Sequence, residues 1–224
     1  MTVMMGTNKT RLKMNKKNQR FVVVFLCLSL IGFFVSECKA EDAMAYVNRG
    51  AVKGNSGDYA GAIKDLNKAI ELEPKNAFAH VTRGAAKKML GDNTGAIKDF
   101  NKAIELEPQN AQAYVIRGAT KGELGNFTGE IQDENKAIEI NPNDAMAYYN
   151  RGSAKSKLTD HTGAIQDYNK AIDLDPKDAE VYFRRGFDKA MLGDKQGALI
   201  DVSKAGELGY TKAYEFLKKI NDGN

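Results

Sequence analysis

Hydrophobic and polar positions alternate along this chain with the period of amphipathic helices, and the whole pattern then repeats. Between residues 77 and 106, Ala77, Val81, Gly84 and Lys88 lie at helical spacing. Leu90-Gly91-Asp92-Asn93 carries a turn, and Ala96, Ile97, Phe100, Ala103, Ile104 and Leu106 form an apolar stripe. This spacing predicts two helices joined by a tight turn, and Pro108 stops the second because the residue before a proline is pushed out of helical geometry. The pattern recurs every 34 residues: Pro74, Pro108, Pro142 and Pro176 are so spaced, as are the Arg-Gly pairs beginning at Arg49, Arg83, Arg117, Arg151 and Arg185. Asp65, Asp99, Asp133, Asp167 and Asp201 keep the same interval, and so do Ala69, Ala103, Ala137, Ala171 and Ala205. Five units follow: 43–76, 77–110, 111–144, 145–178 and 179–211. Two positions after each proline stands Asn76, Asn110, Asp144 or Asp178, with Asp42 playing the same part at the start; each suits the N-cap of the next helix.

In these residues the chain resembles the tetratricopeptide-repeat family over nearly all of residues 43–220. The large fourth residue appears as Tyr46, His80, Tyr114, Tyr148 and Tyr182, the eighth-position glycine as Gly50, Gly84, Gly118, Gly152 and Gly186, and the late proline four times. The fold expected is all-α, a right-handed α-solenoid of five helix-turn-helix repeats. Ala213, Phe216, Leu217 and Ile220 fall at helical spacing, so residues 212–224 are expected to form a capping helix and tail over the fifth unit. The resemblance implies a concave groove lined by the first helix of each unit. Its fifth place reads Val47, Val81, Val115, Tyr149 and Phe183, and its ninth Ala51, Ala85, Ala119, Ser153 and Phe187. Members of the family that grip a C-terminal carboxylate use Lys and Asn at such places; here the residues are mostly apolar or small, so that mode is not expected.

The first forty residues stand apart. Lys9, Arg11, Lys13, Lys16, Lys17 and Arg20 form a basic stretch, residues 21–35 a largely apolar run, and Cys38-Lys39-Ala40 ends it on a small residue. This order is that of a signal peptide, with Met14 a candidate start, and the reading is export to a periplasmic or extracellular space. A short anchor formed by residues 21–35 is the alternative, although the run spans only roughly 22 Å at ~1.5 Å per residue, against a hydrocarbon core of ~30 Å. The charge total changes with this segment. The full chain has 33 Lys+Arg and 29 Asp+Glu; residues 1–40 take seven of the first and one of the second, leaving 26 against 28. A net charge near −2 gives no ground for a nucleic-acid partner. Cys27 and Cys38 both fall in this segment, so residues 41–224 carry neither a disulfide nor a thiol nucleophile.

Residues present in every unit answer to stacking geometry, and residues unique to one unit are free for recognition. Arg49, Lys53, Asp65 and their counterparts recur in all five. They read as an Arg–Asp pair bridging the two helices of each unit with a lysine nearby, the alternative being a basic ladder that binds a ligand. On the first reading, Arg117→Leu with Asp133→Leu costs little, and Arg117→Leu alone costs more. Tyr149, Asn150, Phe183, Arg184 and Phe187 make the candidate binding patch, because aromatics and arginine carry most interface energy. Phe183 and Phe187 have a second reading, as packing beneath the 212–220 helix, and Phe78, Met89 and Met191 could extend an apolar groove. In the third unit Glu130 replaces an alanine and Glu134 replaces Leu66, Phe100, Tyr168 or Val202. The expectation is sequence drift on a partly exposed helix, with a hinge or partner-facing acidic spot as the alternative.

No catalytic, cofactor or metal site is expected. His80 and His161 are 81 positions apart and share no ligand spacing, and the glycine-rich stretches lack the strand a phosphate loop requires. The expected function is protein–protein interaction on the concave surface with a partner that no residue names. The alternatives are a self-associating scaffold or assembly component of the cell envelope and, more remotely, an accessory subunit of an envelope enzyme.

Overall fold

A computed structural model describes residues 42–213 and 215. The segment assigned to export, 1–40, lies outside the described residues, as does most of the 212–224 cap. Among the described residues every regular element is an α-helix. They are α1 (residues 42–55), α2 (Tyr59–Leu72), α3 (Ala77–Met89), α4 (Asn93–Leu106), α5 (Ala111–Glu123), α6 (Phe127–Ile140), α7 (Ala145–Lys157), α8 (His161–Leu174), α9 (Ala179–Met191) and α10 (Lys195–Glu207). The odd-numbered helix of each unit packs on the even-numbered helix that follows, and that helix packs on the next unit. α3 touches α5, α5 touches α7 and α7 touches α9, whereas α4, α6, α8 and α10 make no comparable contacts with one another. The first helices therefore form the inner, closer-spaced layer of a curved stack, the all-α solenoid expected from the repeat.

Local signals place the boundaries. Asn76, Asn110, Asp144 and Asp178 cap α3, α5, α7 and α9 as expected, each side chain accepting from backbone N–H groups of the first turn. The second helices have their own caps, Asp58, Asp92, Asn126, Asp160 and Asp194, each accepting from the N–H of a glycine three residues on. Of these the sequence pattern marked only Asp92, and only as a turn residue. The turn before each cap needs a left-handed residue, supplied by Gly57, Gly91, Gly125 and Gly193; in the fourth unit Thr159 takes φ 63° instead. A β-branched side chain in that region is strained, so Thr159→Gly is expected to stabilise the protein by about 1 kcal/mol, read as a raised urea midpoint.

Small side chains let the helices approach closely. Ala62, Ala69, Ala96, Ala103, Ala137, Ala164, Ala198 and Ala205 are fully buried. Each eighth-position glycine faces the large residue of its partner helix: a Cβ on Gly84 would sit 2.6 Å from Phe100, and one on Gly152 2.8 Å from Tyr168. In the third unit the facing residue is Glu134, and the structure corrects the expectation of partial exposure: Glu134 is fully buried and Glu130 is 8% exposed. At the C-terminal end Ala213 is buried against Val202 and Ala205, with Tyr182, Phe183 and Tyr210 packed around them.

The recurring charges form a ladder. In each unit arginine donates two hydrogen bonds to both oxygens of the aspartate, as Arg117 does to Asp133 at 2.9 and 2.6 Å, and a lysine one turn on adds a third contact, Lys121 at 2.8 Å. The aspartate is the buried member, its side chain 3–6% exposed across the five units. Arg49 is the first cause holding Asp65 well below the ordinary carboxylate range, with Lys53 adding to it against burial. The free guanidinium nitrogen of Arg83, Arg117, Arg151 and Arg185 donates to Asn67, Asn101, Asn135 and Asn169 of the preceding unit at 2.7–2.8 Å. Each guanidinium also lies over the tyrosine one turn back where there is one, 4.8–5.5 Å from ring centre. The ladder thus fixes the two helices of a unit to each other and units two to five to the unit before. With Lys121 bound to the same carboxylate, the Arg117→Leu/Asp133→Leu pair is not the isolated exchange expected from sequence, since it strands the lysine.

Candidate protein-binding groove

The inner layer presents two surfaces. Toward the N-terminus a groove of about 570 Å³ opens across α1, α3 and α5, floored by Ala51, Val81, Ala85 and Ile116 and rimmed by Phe78 and Met89. Phe78 is 57% exposed and Met89 60%, so both leave apolar area open at the edge of the groove. The floor follows from the small or aliphatic fifth and ninth places of the early units. Phe78 and Met89 stand at the second and thirteenth places of the second unit, places that the family resemblance already implied as groove lining, and both were expected as possible extensions of the groove.

Toward the C-terminus lie the five residues singled out from sequence, and the structure splits them. Tyr149 on α7 and Arg184 on α9 come together around Glu180: Arg184 donates to Glu180 at 2.9 Å. Burial pushes the Glu180 carboxyl up, but hydrogen bonds from Arg184 and Tyr149 prevail and hold it below its ordinary value. Burial also raises the Tyr149 phenol to about 12, so it stays a neutral donor. Tyr149 packs on Tyr168 with ring centres 6.2 Å apart. Asn150 is drawn away from this node, donating its amide to Glu134 at 3.1 Å. Phe183 stacks on Tyr210 at 4.8 Å, and Phe187 is 38% exposed. Arg184 therefore brings little unbalanced charge to the groove, while the aromatic faces supply apolar area.

One polar node escaped sequence reasoning. Asp188, 1% exposed, accepts from Ser156 Oγ at 2.7 Å and from His161 Nδ1 at 2.6 Å, joining the fourth unit to the fifth. The available signal was an aspartate at a place held elsewhere by Val52, Ala86, Thr120 and Ala154. His80 lies far from this node in the second unit, its Nε2 against the Pro74 carbonyl at 3.1 Å. Among the described residues no group of three or more His, Cys, Asp and Glu side chains is placed to hold a metal ion. On the outer side, hollows of about 620 and 600 Å³ beside Arg49 and Arg185 have equivalent linings, so they belong to the repeat. No helix among the described residues is long and apolar enough to cross a membrane.

Tetratricopeptide-repeat models match residues 43–76, 88–125, 135–166 and 160–193. With helix pairs in 34-residue register, these define the class: the chain belongs to the tetratricopeptide-repeat proteins. Among solved structures it is similar to a MamA protein, 28% identical over 78% of this chain and 95% of that one, with a TM-score of 0.68. It is likewise similar to MamA (residues 41 to end) from Desulfovibrio magneticus RS-1, at 25% identity, 76% and 96% coverage and a TM-score of 0.70. YrrB, described as a TPR protein with an unusual peptide-binding site, shares the fold at 21% identity, 83% and 97% coverage and a TM-score of 0.68. No curated protein sequence matches the chain significantly.

Proposed function

We propose that this chain is an exported binding module, not an enzyme, that captures an apolar segment of a protein partner on its concave layer. The observation that carries the reading is the apolar groove across α1, α3 and α5, with Phe78 and Met89 exposed at its rim. A preformed groove of this kind recognises a helical or extended segment by burying its apolar side chains, and the rigid stack keeps the ordering cost low. The aromatic surface around Tyr149 and Phe187 extends the contact toward the C-terminus, with Arg184 and Glu180 orienting polar groups at its edge. Family membership supports the class of activity, and the basic-then-apolar order of residues 1–35 supports export.

The test is crosslinking pull-down from a cell-envelope extract with the 41–224 protein, comparing wild type, Phe78→Ala/Met89→Ala and Tyr149→Ala/Phe187→Ala. Loss of two rim anchors is expected to weaken capture at least tenfold, the effect of roughly 1.4 kcal/mol or more. A partner held equally by both variants would move binding off the concave face, and recovery of only the protein itself would favour a scaffold. N-terminal sequencing of the protein from its native cell tests export, an intact residue 1 or 14 arguing against cleavage.

A further inference from the structure

The third unit carries a feature that neither stacking nor the groove requires. Glu134 occupies the place filled by Leu66, Phe100, Tyr168 and Val202 in the other units, and Glu130, one turn earlier, the place filled by Ala62, Ala96, Ala164 and Ala198. Both carboxyls are inside the seam between α5 and α6. A Cβ on Gly122 would lie 2.1 Å from Glu130 Oε2, and one on Gly118 would lie 3.0 Å from Glu134 Oε1, so the backbone of α5 makes the room for both. Glu134 Oε1 accepts from Asn150 on α7, while Oε2, equally buried, finds no hydrogen-bond partner among the described residues.

The cations in the surroundings are each bound to another carboxylate. From α5, Arg117 and Lys121 are bound to Asp133, and Glu123 adds negative charge near Glu130 while pairing with Lys88 of α3. From α6 itself comes Asp133. From α7 come Asp144, the amide of Asn150, and Arg151, whose guanidinium is bound to Asp167 of α8. An ionised pair here would combine desolvation with mutual repulsion, so the packed seam is compatible with neutral carboxyls and strained by charged ones.

We propose that the third unit is a proton-gated joint of the solenoid, closed while Glu130 and Glu134 are neutral and loosened between α5, α6 and α7 when they ionise. The placement gives the joint mechanical reach. In a stack where each unit touches only its neighbours, a weak third unit separates the first two from the last two, and with them the two ends of the concave surface. Asn150 couples the device to that surface, since its amide is held by Glu134.

The working range follows from the burial. Burial, with Glu123 adding to it, pushes Glu130 up to about 7; burial, opposed by Asn150 and reinforced by Glu130, Asp144 and Asp133, pushes Glu134 up to about 9. In the unfolded chain both titrate near the ordinary value of ~4.3. Between that value and the folded ones the native state holds more protons than the unfolded state, so this contribution to stability falls as pH rises and levels off above about 9. The closed joint belongs to mildly acidic conditions, and opening begins near neutrality.

The experiment uses the absence of cysteine from residues 41–224. Spin labels at Glu105→Cys on α4 and Lys170→Cys on α8, both exposed and on either side of the third unit, report the distance across it. The wild-type background is expected to give a narrow distribution at pH 5.5 and a broadened or shifted one at pH 9. In Glu130→Ala/Glu134→Phe, which restores residues used by the second unit, the distribution is expected to stay narrow at both. Thermal midpoints are measured alongside. Wild type is expected to lose at least 5 °C more than this variant between pH 5.5 and 9, and Glu134→Phe alone to gain most of its advantage at high pH. Glu134→Gln keeps the shape and removes the charge, so it tests the joint should the Phe variant fold poorly. Equal pH dependence in wild type and Glu134→Gln, or an unchanged distance distribution in wild type, would overturn the proposal.

Discussion

Arg117→Leu together with Lys121→Met is expected to cost about 4 kcal/mol of unfolding free energy, and adding Asp133→Leu to recover at least half of it. The reason lies in which member of the ladder is buried. The Asp133 side chain is 5% exposed, whereas Arg117 and Lys121 are 15% and 21% exposed. A carboxylate deprived of both cations keeps its desolvation penalty with nothing to offset it, while a leucine in its place loses only the pairing. Recovery is expected to be incomplete because Asn101, freed from Arg117, loses its link to the third unit. Urea unfolding of the three proteins checks this, and a triple variant no more stable than the double would show that the carboxylate is solvated after all.

Tyr168→Ala is expected to cost a further class of stability, about 3–5 kcal/mol, and to do so on one side of the molecule. Tyr168 is 1% exposed, fills the space above Gly152, and packs with Ala164, Ala171 and Val181. Removing the ring leaves a cavity between α7 and α8 just where α9 joins them. Because the stack is held by nearest neighbours, hydrogen exchange is expected to lose protection across α7 to α10 and to retain it in α2 to α5. Uniform loss over all units would show instead that the five repeats unfold as a single cooperative block. Burial raises the Tyr168 phenol far above its ordinary value, so Tyr168→Phe separates ring packing from the hydroxyl and is expected to cost much less.

The fold was legible because the repeat states it five times over. One proline, one glycine and one alanine pattern at a fixed interval leave a helix pair as the only unit that buries the stripe, and stacking as the only way to bury the unit. The Arg–Asp pairs were legible for the same reason, sixteen residues apart in every unit. What repetition hides is which unit a contact serves. Asn67, Asn101, Asn135 and Asn169 recur in the first four units, with Ser203 at that place in the fifth, yet nothing in a single unit tells that each asparagine accepts from the next unit's guanidinium.

The candidate surface was legible in part. Tyr149 and Arg184 do meet, but through Glu180, and Asn150, the residue after Tyr149, has a side chain that serves Glu134 in the unit before. A helix sends adjacent residues about 100° apart, so neighbours in sequence part company in space.

Sequence by itself determined the number of units, their register, the caps of α3, α5, α7 and α9 and the ladder of charges, because each depends on local spacing repeated without change. Only the tertiary structure decided that Glu134 is sealed inside its seam, that Asp188 ties two units, and that Phe78 and Met89 stand open over an apolar floor. Burial is a property of what lies opposite, and residues opposite one another here come from different helices and often from different repeats.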